Sequence, residues 1–159
     1  MSSLNEFTSK KKPQLWPLTL LRIYTGVFFA IYGFHKIRGG DFSNSVEGFV
    51  NGSLEGSFAI IRPFLESVVL PNKAFFGFLV PWGELAIGLA LIVGLATRYA
   101  SIAGAVMVAV FWFTKGQGFL EAQNHDAIWF VIFVVLATVH AGRRHSLDEK
   151  LADRFRFLA

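Results

Sequence analysis

Two ionisable residues stand in apolar sequence where water is scarce. Glu84 lies in "LVPWGELAIGLALIVGLATR", residues 79–98, and Arg22 in "LRIYTGVFFAIYGF", residues 21–34. An ionised group at the centre of a membrane helix costs about 2.5–3.5 kcal/mol on insertion scales, so each marks a candidate functional position. Together they suit a buried polar pair or a proton site, with Glu84 and Arg22 as the candidate catalytic residues. Tyr32, His35, Lys36 and Trp82 are nearby candidates for contacting a ligand.

The elements that hold these residues are apolar blocks. The 159 residues are 53% hydrophobic with a mean hydropathy of +0.50, and the apolar residues gather into four runs. A bilayer core of about 30 Å needs about 20 helical residues. The spacing predicts spans near 15–34, 74–96, 99–113 and 127–142, the last two short enough to require flanking residues at the interface. The expected fold is all-α, an integral membrane four-helix bundle forming one domain over residues 1–159. The first run carries Arg22 and lacks a small-residue cleavage site, so it reads as a retained span, not a signal peptide.

Local signals bound the spans. Asn124 suits the N-cap of the fourth helix, and Asp126 complements its dipole. Gly142 with Arg143 and Arg144 suits its end. The turn "LATR" makes spans two and three an antiparallel hairpin. Ala86, Ala90 and Gly94 on one, and Ser101, Ala105 and Ala109 on the other, allow close backbone packing.

An even number of spans puts both termini on one side. That side carries Lys10, Lys11, Lys12, Arg98, Arg143, Arg144, Lys150, Arg154 and Arg156. The other carries Lys36, Arg38, Arg62, Lys73 and Lys115. The imbalance places both termini in the cytoplasm, and it accounts for the formal charge of +4 without nucleic acid. The segment 36–73 is then extracytoplasmic. Phe42, Val46, Phe49 and Val50 share one helical face, as do Leu54, Phe58, Ile61 and Leu65, with a bend expected at Pro63. Amphipathic helices of this kind lie on the membrane surface or cover the bundle.

Depth decides whether Arg22 and Glu84 meet. Arg22 lies about 10 Å from the cytoplasmic edge and Glu84 about 15 Å from the other, at 1.5 Å per residue. Side chains lean toward their own helix N-termini, which draws the two apart on antiparallel helices. Arg22 also reads as a snorkelling residue. Pro81 either begins a short helix, with Glu84 in its first turn, or kinks a continuous one and frees the carbonyl of Gly77.

Other chemistries are poorly supported. The chain has no cysteine, which rules out disulfides, Cys-ligated zinc, iron–sulfur clusters and a dithiol relay. His35, His125, His140 and His145 show no metal-site spacing, so no metal is expected, while an axial role toward haem or a pigment stays open. Phosphate-loop, nucleotide and nucleophile motifs are missing.

Three stretches carry a family resemblance. "LRIYTGVFFAIYGFHKI" holds Arg22, Gly26, Gly33 and Lys36, and "GELAIGLALIVGLATRYAS" holds Glu84, Gly88, Gly94, Thr97 and Arg98. "AGRRHSLDEKL" holds Gly142, Ser146, Leu147 and Asp148, with His145 where an aromatic is common. In this order the chain resembles the DoxX/DoxD family of small four-helix membrane proteins. The resemblance implies a prokaryotic cytoplasmic-membrane protein linked to redox chemistry, since some relatives are subunits of a thiosulfate:quinone oxidoreductase.

The expected function is therefore association with electron transfer, as a small subunit of a quinone-linked redox complex. Quinone is the candidate cofactor, and lipid and other membrane subunits are the expected partners. In that reading Glu84 carries a proton, and Arg22, Tyr32 and His35 orient the ring. The alternative is a non-catalytic accessory subunit of a respiratory or photosynthetic complex. A small transporter ranks last, because four short spans make a poor pore.

Overall fold

A computed structural model describes residues 16–40 and 42–139. Among the described residues the chain is helical throughout, with no strand. Helix α1 spans Trp16–Arg38, α4 Lys73–Val93, α5 Thr97–Lys115 and the shorter α6 His125–Thr138. The first three are long and apolar enough to cross a membrane, and α6 is a shorter apolar helix. Their outward faces expose Leu20, Tyr24, Phe34, Phe78, Leu89 and Val106, which is stable only against lipid. The molecule is a helical membrane bundle.

Sequence chemistry explains where the helices stop. Gly94 takes φ 69° after α4, and Leu95 N–H donates to the Ala90 carbonyl at 2.9 Å. Ala96 follows at φ 49°, a left-handed conformation that costs a non-glycine residue about 1 kcal/mol. Gly116 ends α5 at φ 65°. Asn124 caps α6: its Oδ1 accepts from Ala127 N–H at 3.0 Å, and its Nδ2 donates to the Gly118 carbonyl. Pro81 lies inside the continuous α4, so it does not start a helix.

The helices pair chiefly as α1 with α4 and α5 with α6, with α4 against α5 between them. Glycines set the first pairing. A Cβ on Gly26 would lie 2.7 Å from the Gly88 carbonyl oxygen, and one on Gly33 would lie 2.7 Å from that of Pro81. Gly88 in turn faces the backbone of Ala30. The two backbones are therefore in contact. Gly104 makes room on α5 for the ring of Phe133. Phe29, Ile87, Leu91, Val108 and Phe133 fill the centre.

This register staggers the helices. The middle of α4 lies beside the last turns of α1, and the first turns of α4 project past the α1 end. The segment after α1 packs onto that projection. Helix α2, Ser43–Ser53, leads through a turn to α3, Arg62–Phe64, which continues as one π-helical turn, Leu65–Val69. Val46, Val50, Leu65 and Val69 form a second small core, with Phe76 of α4 packed against it. Backbone contacts and one exposed ion pair fix this segment in place. Ser43 lies against Gly77, Gly116 against the Gly56 carbonyl, and Phe58 N–H donates to the Phe113 carbonyl at 3.1 Å. Lys73 pairs with Glu47.

Several expectations change. Helix α1 runs on to Arg38, so Lys36 belongs to the first helix and not to the segment after it. Residues 54–61 form a turn where a helical face over 54–65 was expected, because Pro63 begins α3 and does not bend a longer helix. The closest backbone packing joins α1 and α4; Ala86, one of the small residues expected to make it, is exposed. The Gly142 end of the fourth span lies outside the described residues.

Gly33→Leu is expected to overpack the α1–α4 contact and destabilise the bundle by about 1–3 kcal/mol. A Cβ on Gly48 would meet nothing within 4 Å, so Gly48→Ala should leave stability unchanged or slightly raised. Circular dichroism during thermal unfolding in detergent checks both.

Candidate functional site

Glu84 is held by Lys36. The α1 positions 22, 26, 29, 33 and 36 recur every three or four residues, which puts Lys36 on the stripe that faces the bundle. On α4 the corresponding stripe is Pro81, Glu84, Ile87, Gly88 and Leu91, all buried. The glycine contact between these stripes brings Lys36 Nζ to 2.5 Å from Glu84 Oε1. The carboxylate side chain is 5% exposed and the lysine 25%.

Aromatic rings complete the setting. Lys36 Nζ lies 5.3 Å from the ring centroid of Phe42 and 5.4 Å from that of Phe111. Each ring presents the negative face of its quadrupole to the ammonium, a contact of about 0.5–1 kcal/mol. Glu84 Oε2 has no hydrogen-bond partner among the described residues. Lys36 borders a cleft of about 240 Å³ that Phe42, Ser43, Gly77, Phe78 and Trp82 also line, and Glu84 is not among its lining residues. A charged donor and ring-shaped walls therefore meet at the cleft, and the carboxylate that holds the donor is buried outside its lining.

The other candidates are distributed unevenly. Trp82 lies on the rim of this cleft, and Phe78 is 5.8 Å from it between ring centroids. Tyr32 and His35 are exposed and do not line the cleft; Tyr32 instead stacks on Phe28 at 4.4 Å. Arg22 is fully buried, but at the opposite end of the bundle. Because Gly26 faces Gly88 and Ile92, Arg22 comes level with the end of α4. Its axial separation from Glu84 is roughly 15 Å at 1.5 Å per residue. The structure thus separates Arg22 from Glu84, whose contact the sequence left open.

Sequence reasoning missed two partners. Lys36 was legible in principle, being 14 positions from Arg22 and hence four turns along the same face. Lys115 and Asp126 form a second ion pair at 2.7 Å, joining the end of α5 to the first turn of α6. The carboxylate there also complements the α6 dipole. No cluster of metal-ligating residues occurs among the described residues.

Lys36→Met leaves a buried acceptor without its donor and is expected to cost about 1–3 kcal/mol. Combining it with Glu84→Leu should recover most of that loss, because an apolar pair of similar volume avoids the desolvation cost. A double-mutant cycle on unfolding midpoints checks this; strictly additive costs would show that the two side chains are not coupled.

The DoxX family model matches residues 18–117, from the start of α1 to just past the end of α5. Lys36, Glu84 and the glycines of the α1–α4 contact all fall inside the match, whereas α6 and the stretch containing Ser146, Leu147 and Asp148 fall beyond it. No curated protein and no solved structure matches the chain. With well over half of its length matched, the chain belongs to the DoxX family.

Proposed function

We propose that this DoxX-family protein is a small membrane subunit associated with electron transfer, and that it holds a quinone headgroup at the Lys36–Glu84 pair. The observation that carries the reading is the buried ammonium–carboxylate pair beside an aromatic-walled cleft. An ammonium has three N–H donors, and Glu84 Oε1 takes one. A second is available to a ring carbonyl. Glu84 touches Lys36 and in this reading exchanges a proton through that contact. Phe42 and Trp82 offer apolar faces for the ring.

A bound quinone supplies reversible uptake of two electrons and two protons. The protein's part is to bind the ring, fix its orientation through Lys36 and hold a proton at Glu84. Electrons come from a partner subunit in this reading. The four-span reading of the sequence, with its excess of basic residues toward the two termini, supports a cytoplasmic-membrane protein whose Lys36 end faces outward.

A second reading rests on the same bond. Lys36 and Glu84 already pair at 2.5 Å, so they also serve as an interhelical lock in an accessory subunit without chemistry of its own. The transporter reading has less support, because Phe29, Ile87, Leu91, Val108 and Phe133 fill the bundle centre.

The complex purified from its native membrane should reduce a soluble quinone. Glu84→Gln keeps the shape but removes the proton, and turnover should fall by about 10²-fold or more, the usual size of general acid–base catalysis. Unchanged turnover in a stably folded Glu84→Gln complex would leave the pair as a lock.

A further inference from the structure

Helix α1 has two faces with different surroundings. Gly26 and Gly33 lie against α4, and Arg22, Thr25 and Phe29 are buried on the same helix. The opposite face carries Leu20, Tyr24, Val27, Ile31 and Phe34 at spacings of four, three, four and three, and all five are exposed. That spacing draws one continuous stripe along the helix. It is also the repeat that forms the seam between paired helices crossing left-handedly, the commoner hand in membranes.

Lipid tails suit four of the five side chains but not Tyr24. Tyr24 is 60% exposed and lies eight residues from the start of α1 and fourteen from its end. At 1.5 Å per residue these are about 12 Å and about 21 Å, well inside an apolar core of about 30 Å. Its ring stacks on Trp129 of α6, 6.4 Å between centroids and 18° between planes, so a second helix holds it at that depth. Its hydroxyl makes no hydrogen bond among the described residues. A hydroxyl in hydrocarbon needs a partner, and lipid tails offer none.

Charge and symmetry say what can cover the stripe. Between residues 16 and 34 the one Lys, Arg, Asp or Glu is Arg22, which is buried on the other face. Two copies of a neutral stripe meet without repulsion. A two-fold axis along the membrane normal brings equal depths together, so the stripe must complement itself. An ammonium only donates and a carboxylate only accepts, whereas a phenol hydroxyl does both. Tyr24 is therefore its own complement at the depth where the stripe lacks an acceptor.

We propose that the outward face of α1 is a dimer interface: a second copy of this chain lays the same stripe against it, and the two Tyr24 hydroxyls hydrogen-bond across the axis. The glycine contact with α4 lies on the other face of α1 and is left intact. The inference goes beyond the reading of the Lys36 cleft and does not depend on it.

The chain has no cysteine, so single cysteines report contacts cleanly. Val27→Cys lies on the stripe, and Leu89→Cys on the exposed face of α4. With the full chain in liposomes at low protein density, mild oxidation should give at least about fivefold more disulfide-linked dimer from Val27→Cys than from Leu89→Cys, as one closed two-fold contact requires. Energy transfer between labelled chains, followed as lipid is added, should show a monomer–dimer equilibrium. Tyr24→Phe keeps the ring and its stacking, and it should weaken that equilibrium about three- to tenfold, the range of one interhelical hydrogen bond. Equal cross-linking at the two positions, energy transfer no greater than random collision gives, or an unchanged equilibrium in Tyr24→Phe would each overturn the proposal. Val27→Cys that links to a different polypeptide in the native membrane, with no self-linked dimer, would overturn it in favour of a partner helix.

Discussion

The Lys36 end of the molecule depends on two helices touching backbone to backbone. Gly26 and Gly33 on α1 and Gly88 on α4 remove the side chains that would otherwise hold the helices apart. Lipid tails are as apolar as leucine, so helices in a bilayer gain little from burying apolar surface against each other. They gain from close van der Waals contact. That contact also fixes register: a slip of one residue would turn the α1 stripe by about 100° and carry Lys36 away from Glu84. The ion pair is thus a product of steric fit more than its cause.

Of the three ion pairs described at this end, Lys36–Glu84 and Lys115–Asp126 differ in setting. Lys36–Glu84 is sunk between helices, with its ammonium over two rings and one carboxylate oxygen unpartnered. Lys115–Asp126 is more open to solvent and sits at a helix junction, next to the cap made by Asn124. Position alone gives the second an architectural role, since it closes the loop between α5 and α6. The first differs in its deeper burial and in the two rings around its ammonium, since each pair has a buried carboxylate oxygen without a hydrogen-bond partner.

Much of the architecture is legible from apolar periodicity. The four helices, the Asn124 cap and the Gly94 turn all follow from local rules, and local rules hold when lipid replaces a soluble core. Glu84 stands out for the same reason. Its partner is harder to see, because depth counted along each helix supposes flush ends, and the stagger of α4 past α1 is a tertiary property. It follows from where glycines fall on two distant segments. Periodicity suggests two amphipathic helices in the outer segment, yet Gly56 and Pro63 break the second, and the carbonyl of Gly56 lies against Gly116. That contact joins residues 60 positions apart and leaves no periodic trace.

The attachment of that outer segment has a mechanical consequence. It is tied to α4 where Ser43 rests on Gly77 and Lys73 meets Glu47, and to α5 where Phe58 bonds to Phe113. A flap needs one free edge, and this segment is anchored at both sides. It therefore acts as a brace spanning the projecting ends of two helices. Its first residue, Phe42, also lies over the ammonium of Lys36, so the brace and the ion pair share a side-chain contact.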